Sequence, residues 1–145
     1  MKKLSLLLLF LATLSVFSQA PTVDAPTPPV RNAVDVISIF SDAYNNITGA
    51  NYNPDWQQSG FGTASSSFEP TGPGNVVLAY PDFNYQGIEF NNVLDITAME
   101  FLHLDIWTVD GVSPNLTVIS SGAEIPQSIP NGDGAWQSID IAVSG

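Results

Sequence analysis

Phe101, His103, Asp105 and Trp107 stand at alternate positions, so an extended chain presents two aromatic rings, an imidazole and a carboxylate on one side. Such a row suits a polar, ring-shaped ligand. Aromatic faces stack on apolar C–H surfaces, while imidazole and carboxylate groups bond hydroxyls. The same groups can also satisfy one another, His103 bonding to Asp105, because buried polar groups are normally paired. Two readings of the row stand side by side: a ligand-binding face and an internal polar network.

The row exists only if its segment is a strand. From Glu100 to Thr108 the residues alternate with period two, placing Leu102, Leu104, Ile106 and Thr108 on the opposite side. A helix would scatter both sets around its circumference. The apolar side is expected on a core and the mixed side free for recognition, as in an antiparallel sandwich.

The other elements follow from composition. Residues 21–32 contain Pro21, Pro26, Pro28 and Pro29 among small residues and read as an extended linker. Residues 34–40, rich in Val, Ile and Phe, are expected as the first strand. Residues 41–53 read as an Asn- and Asp-rich loop. Residues 56–61 and 63–69 are weaker strands, and 70–75 is a turn with two Gly and two Pro. Residues 76–80 and 85–90 are expected to pair, and 91–98 cross over with room for one helical turn. Strands at 116–120, near Ile125 and at 136–143 follow; in the last, Ile139, Ile141 and Val143 alternate with Ser138 and Asp140. The pattern lacks any convincing amphipathic helix. It predicts an all-β, antiparallel β-sandwich of the jelly-roll kind over residues 33–145. Because the sequence stops at Ser144-Gly145, directly after a strand, the sandwich is expected to lack its last strand or strands.

Residues 1–20 read as a signal peptide: Lys2 and Lys3, an apolar run over 4–17, then Ser18-Gln19-Ala20 as the cleavage signature. The run is short for a membrane span, and no second one follows, so no span is expected after cleavage. Removing these twenty of the 145 residues leaves 125, one ordinary domain. Export to the extracellular space or cell surface follows. Both lysines leave with the signal, so Arg31 alone faces fourteen carboxylates, a formal charge of −13. That balance opposes nucleic acid and anionic lipid, which require Lys/Arg clusters. Without cysteine the chain has no disulfides and no thiolate metal ligands.

Further candidates lie outside the strand. Trp56, Tyr44 and Tyr52 sit in or beside the Asn-rich loops, where aromatics serve either binding or packing. Trp136 opens a strand after a turn and is expected to cap the core. Asp42, Asn45 and Asn46 form an oxygen-rich cluster that suits either calcium or a solvated turn with Asx bonds. Catalysis has thin support. A glycosidase needs two carboxyls across one cleft, but Glu100 and Asp105 fall on opposite sides of a regular strand. His103 is the only histidine, and no Gly-x-Ser-x-Gly elbow surrounds a serine. A non-enzyme is expected.

Five segments, in order, carry a family resemblance. They are Val34-Asp35-Val36-Ile37-Ser38-Ile39-Phe40-Ser41-Asp42-Ala43-Tyr44, Tyr52-Asn53-Pro54-Asp55-Trp56, Phe83-Asn84-Tyr85-Gln86-Gly87, Leu102-His103-Leu104-Asp105-Ile106-Trp107-Thr108 and Trp136-Gln137-Ser138-Ile139-Asp140-Ile141. The series resembles the β-sandwich carbohydrate-binding modules attached to secreted glycoside hydrolases of Bacteroidetes. The resemblance implies a jelly roll that binds a polysaccharide such as a β-glucan without catalysis, beside a hydrolase partner. It also implies a structural calcium ion, for which Asp42, Asn45 and Asn46 are the candidates. The rival reading is a structural or adhesive Ig-like spacer of a cell-surface protein, which needs no aligned Trp, His and Asp on one face.

Overall fold

A computed structural model describes residues 20–57, 66–81, 83, 85–109, 113–120 and 124–143. The signal-peptide reading therefore lies almost wholly outside the described residues, as do parts of the strands expected at 56–61 and 63–69. The chain is essentially all-β. Its elements are a 3-10 turn at Ala33–Asp35, then β1 (Ala50–Asn51), β2 (Ser66–Phe68), β3 (Val77–Ala79), β4 (Glu89–Phe90), β5 (Phe101–Thr108), β6 (Asn115–Val118), β7 (Ile125–Ser128) and β8 (Ala135–Ala142).

Among the described residues the strands form antiparallel pairs: β1 with β4, β2 with β3, β5 with β8, and β6 with β7. Each outer pair encloses an inner hairpin in the sequence. The 70–75 turn closes β2 onto β3, with Gly72 and Gly74 at φ +123° and +113° supplying backbone that L-residues rarely adopt. This pairing replaces the expected partnership of 76–80 with 85–90. β3 takes β2, and β4 is left for β1, the two joined further by the Asn91 N–H donating to Gly49 O at 3.3 Å.

Residues 34–40 are not a strand. Ala33–Asp35 makes a 3-10 turn, and only Ser38 enters a bridge, to Asn46. Side chains override the β-propensity here. Asn32 Nδ2 donates to Asp35, while Asn46 Oδ1 accepts from both Ser38 Oγ and the Ser41 N–H, shaping the chain into a loop. Val34, released from any sheet, is 91% exposed. Residues 91–98 contain no helix; a single turn, with Met99 N–H donating to Ile96 O, leads into β5.

β5 and β8 are the longest strands and run in register from Phe101 opposite Ala142 to Thr108 opposite Ala135. The end of the pair is locked by Thr108. Its Oγ1 accepts from the Gly132 N–H at 2.8 Å and donates to Asn131 Oδ1 at 3.1 Å, and its carbonyl accepts from the Gly134 N–H at 2.8 Å. Gly132 is required by space. A Cβ there would lie 2.5 Å from the Ala135 carbonyl oxygen.

Register sorts the two faces of this pair. Leu102, Leu104 and Ile106 share one face with Ile141, Ile139 and Gln137. The aliphatic members of that face are half-buried rather than sealed in a core, since two strands cannot enclose their own apolar side. The buried apolar side chains among the described residues lie elsewhere, at Ile129, Pro54, Val77 and Pro21.

Candidate functional site

The strand reading places Phe101, His103, Asp105 and Trp107 on one face of β5, and β8 supplies their partners. Opposite them stand Ala142, Asp140, Ser138 and Trp136. Asp140 Oδ1 lies 2.7 Å from His103 Nδ1. Ser138 Oγ donates to Asp105 Oδ1, and Asp105 Oδ2 sits 3.5 Å from His103 Nε2. Ser138, Asp105, His103 and Asp140 thus make one polar chain across the two strands. His103 Nε2 is buried and makes no hydrogen bond.

At one end of this chain the Trp107 and Trp136 rings meet edge to face, centroids 5.7 Å apart. Trp136 Nε1 donates to the Val23 carbonyl at 3.0 Å. At the other end the Arg31 guanidinium lies 5.8 Å from the centre of the Phe101 ring. The row is therefore occupied by internal partners from end to end, and residues 21–32 contribute to both ends.

Trp56 belongs to a different place. The loop around Tyr52–Pro54–Trp56 lies against the loop at 83–87. Gln86 Nε2 donates to the buried Pro54 carbonyl at 3.3 Å, and Tyr85 OH donates to Trp56 O at 3.3 Å. The indole of Trp56 rests on Gly87 so closely that a Cβ there would fall 1.8 Å from the ring. Beneath this cluster, Tyr52 OH donates to Ile39 O and Tyr80 OH to Tyr52 O, each at 2.7 Å. Phe40 packs edge-on to Tyr52 and Phe83 leans on Tyr80, at 5.5 and 6.4 Å between centroids. Burial, with Tyr52 alongside, pushes the Tyr80 phenol up to about 12. The upper rings face outward: Trp56 is 38%, Tyr85 43% and Phe83 49% exposed.

Tyr44 is separate again. Its hydroxyl donates to Pro29 O and accepts from the Arg31 N–H, each at 2.8 Å. With Asp42, Asn45, Ala33, Val36 and Ala43 it lines a cavity of about 310 Å³. The oxygens proposed for calcium are partly committed to protein donors. Asn46 Oδ1 holds Ser38 and Ser41, and Asp42 Oδ2 accepts from the Val76 N–H. Among the described residues no group of three His, Asp or Glu side chains is placed to hold a metal ion.

The structure thus brings Trp107, His103 and Asp105 together, sets Trp56 on Gly87 and Tyr52 against Phe40 in the loops, and gives Tyr44 to the N-terminal segment. Sequence reasoning overlooked Tyr85 as the companion of Trp56 and Phe83 as that of Tyr80. Their spacing around Gly87 in an Asn- and Gln-rich stretch was the available signal. Asp140 and Ser138 were visible as the polar side of β8, but only register identifies them as partners. Comparison of the chain with protein-family models, curated proteins and solved structures finds no match.

Proposed function

We propose that this chain is an exported, non-catalytic β-sandwich module that binds a neutral polysaccharide and so raises its local concentration beside an associated glycoside hydrolase. The observation that carries the reading is the pair of exposed loop aromatics Trp56, resting on Gly87, and Tyr85, bonded to the Trp56 carbonyl, with the exposed Phe83 in the same loop. Flat rings held by their loops and open to solvent suit the C–H faces of pyranose rings. The nested strand pairs support a sandwich, in which successive hairpins fold across one another. The acidic surface favours a neutral ligand over a sulfated one.

The absence of catalysis in this reading is supported by the bonding of the polar chain. Ser138 bonds to Asp105 rather than to His103, so among the described residues the polar chain holds no serine hydrogen-bonded to the imidazole. Among the described residues no helix is long and apolar enough to cross a membrane.

One observation favours the spacer reading instead: the polar side chains of the β5–β8 face bond mainly to one another, His103 Nε2 being the exception. Isothermal titration of the chain with a soluble neutral β-glucan and with a sulfated polymer separates the two. Weak, salt-insensitive binding to the neutral polymer that disappears in Trp56→Ala supports the glycan module. Failure to bind either polymer leaves the spacer.

A further inference from the structure

Residues 21–32 are held to the fold along their length. Val23 O accepts from Trp136 Nε1, and Asp24 Oδ1 accepts from Thr71 Oγ1 at 2.6 Å. The Asn75 amide reads the backbone of Ala25 twice, accepting its N–H at 2.9 Å and donating to its carbonyl at 3.2 Å. Tyr44 then grips Pro29 and Arg31. The first contact touches the Trp107–Trp136 end of the β5–β8 polar face, and Arg31 stands by Phe101 at the other end. The distances agree. The eight steps of proline-rich extended chain from Val23 to Arg31 reach about 25 Å, and the six steps of strand from Trp107 to Phe101 cover about 20 Å.

The chemistry of attachment is uneven. Nearly every contact is a hydrogen bond from a side chain to the segment's backbone, each contributing modestly in net terms. Apolar anchoring is concentrated at the start, where Pro21 is buried; beyond it Pro26 and Pro28 are half-buried, Val23 is 53% exposed and Val30 88%. The sheet below is different in kind, an eight-residue ladder in full register.

We propose that residues 21–32 form a releasable strap, docked by Asn75 and Tyr44, that closes the polar face of β5 and β8 and opens without unfolding the sheet beneath it. Four prolines keep the released strap extended, so redocking requires little further ordering. Opening exposes the Trp136 indole N–H and the Phe101 ring, and with them the approach to His103, Asp105 and Trp107. That these would then meet a polysaccharide rests on the glycan reading above; the strap itself does not.

Native-state hydrogen exchange on the full chain tests this without any ligand, so its outcome is separable from glycan binding. The Ala25 and Arg31 amides, held by Asn75 and Tyr44, are expected to exchange at least about 100-fold faster than the most protected amides of β5 and β8. In the double variant Asn75→Ala, Tyr44→Phe the strap amides gain about a further tenfold, while the β5 and β8 rates stay unchanged. Acrylamide quenching of tryptophan fluorescence rises in parallel. Exchange of strap and sheet at one common rate in the unmodified chain overturns the proposal. So does loss of protection in both together in the variant, or a variant that fails to fold, since each makes the segment an inseparable part of the domain.

Discussion

Two aromatic regions of this molecule use the same residue types to opposite ends. On the β5–β8 face, Trp107 and Trp136 turn edge to face toward each other, His103 and Asp105 find Asp140 and Ser138, and residues 21–32 hold both ends. In the loops, Trp56, Phe83 and Tyr85 keep much of their surface in water, Trp56 resting on Gly87, Tyr85 bonded to the Trp56 carbonyl and Phe83 leaning on Tyr80. A strand pair brings complementary side chains opposite each other every second residue, so its polar groups tend to find one another. Loops carry no such register. Their rings are held by separate contacts, Trp56 on Gly87, Tyr85 through the Trp56 carbonyl and Phe83 against Tyr80, and much of their surface stays exposed.

The largest effect is expected where backbone has no room to yield. Gly132→Ala drives a Cβ against the Ala135 carbonyl and the Thr108 backbone at the closing end of β5 and β8. It should lower stability by about 2–3 kcal/mol in a urea melt. If the melt is unchanged, the strand face is less tightly determined than the contrast requires.

Paired tryptophan truncations then set the two regions against each other. Trp56→Ala should weaken binding to a neutral β-glucan by about 1–3 kcal/mol in calorimetry and leave the thermal midpoint nearly unmoved. Trp107→Ala should do the reverse in the strapped protein, costing about 1–3 kcal/mol of stability with little change in affinity. The opposite pattern would reassign the ligand to the strand face.

Gly87→Ala sharpens the loop side. The added methyl displaces the Trp56 ring, whose outer edge can swing away, so affinity should fall about tenfold with a stability change within about 0.5 kcal/mol. Removing one polar partner is milder: His103→Ala should cost about 0.5–1.5 kcal/mol in a chemical melt, and less in glycan affinity than Trp56→Ala does.

The smallest effect at neutral pH comes from Tyr80. Burial raises its folded pKa to about 12 from an ordinary 10, so the fold favours the neutral phenol. Its contribution is complete below pH 10 and is lost as pH rises through about 12. Absorbance at 295 nm should show one late tyrosine step near pH 12, absent in Tyr80→Phe.

How much of this was legible beforehand differs by element. The β5 alternation of Phe101, His103, Asp105 and Trp107 against Leu102, Leu104 and Ile106 specified a strand, and β5 has that form. The β-rich run at 34–40 misled, because Asn32 and Asn46 bond the neighbouring chain into a loop more locally than any distant strand could capture it. At 76–80 the strand was legible but its partner was not, since several β-runs of similar character compete for each edge.

Local chemistry alone decided the β-rich composition of the fold, the two-faced strand, the turn at 70–75 and the strongly acidic balance. These depend on backbone preference and on the period of side-chain direction, both written in neighbouring residues. Only the tertiary structure decided that Asp140 bonds to His103, that Tyr44 and Asn75 hold residues 21–32, and that Trp56 lies on Gly87. Each joins positions from thirteen to fifty residues apart. Such contacts depend on register and chain path, and the same side chains would pair differently after a one-residue slip.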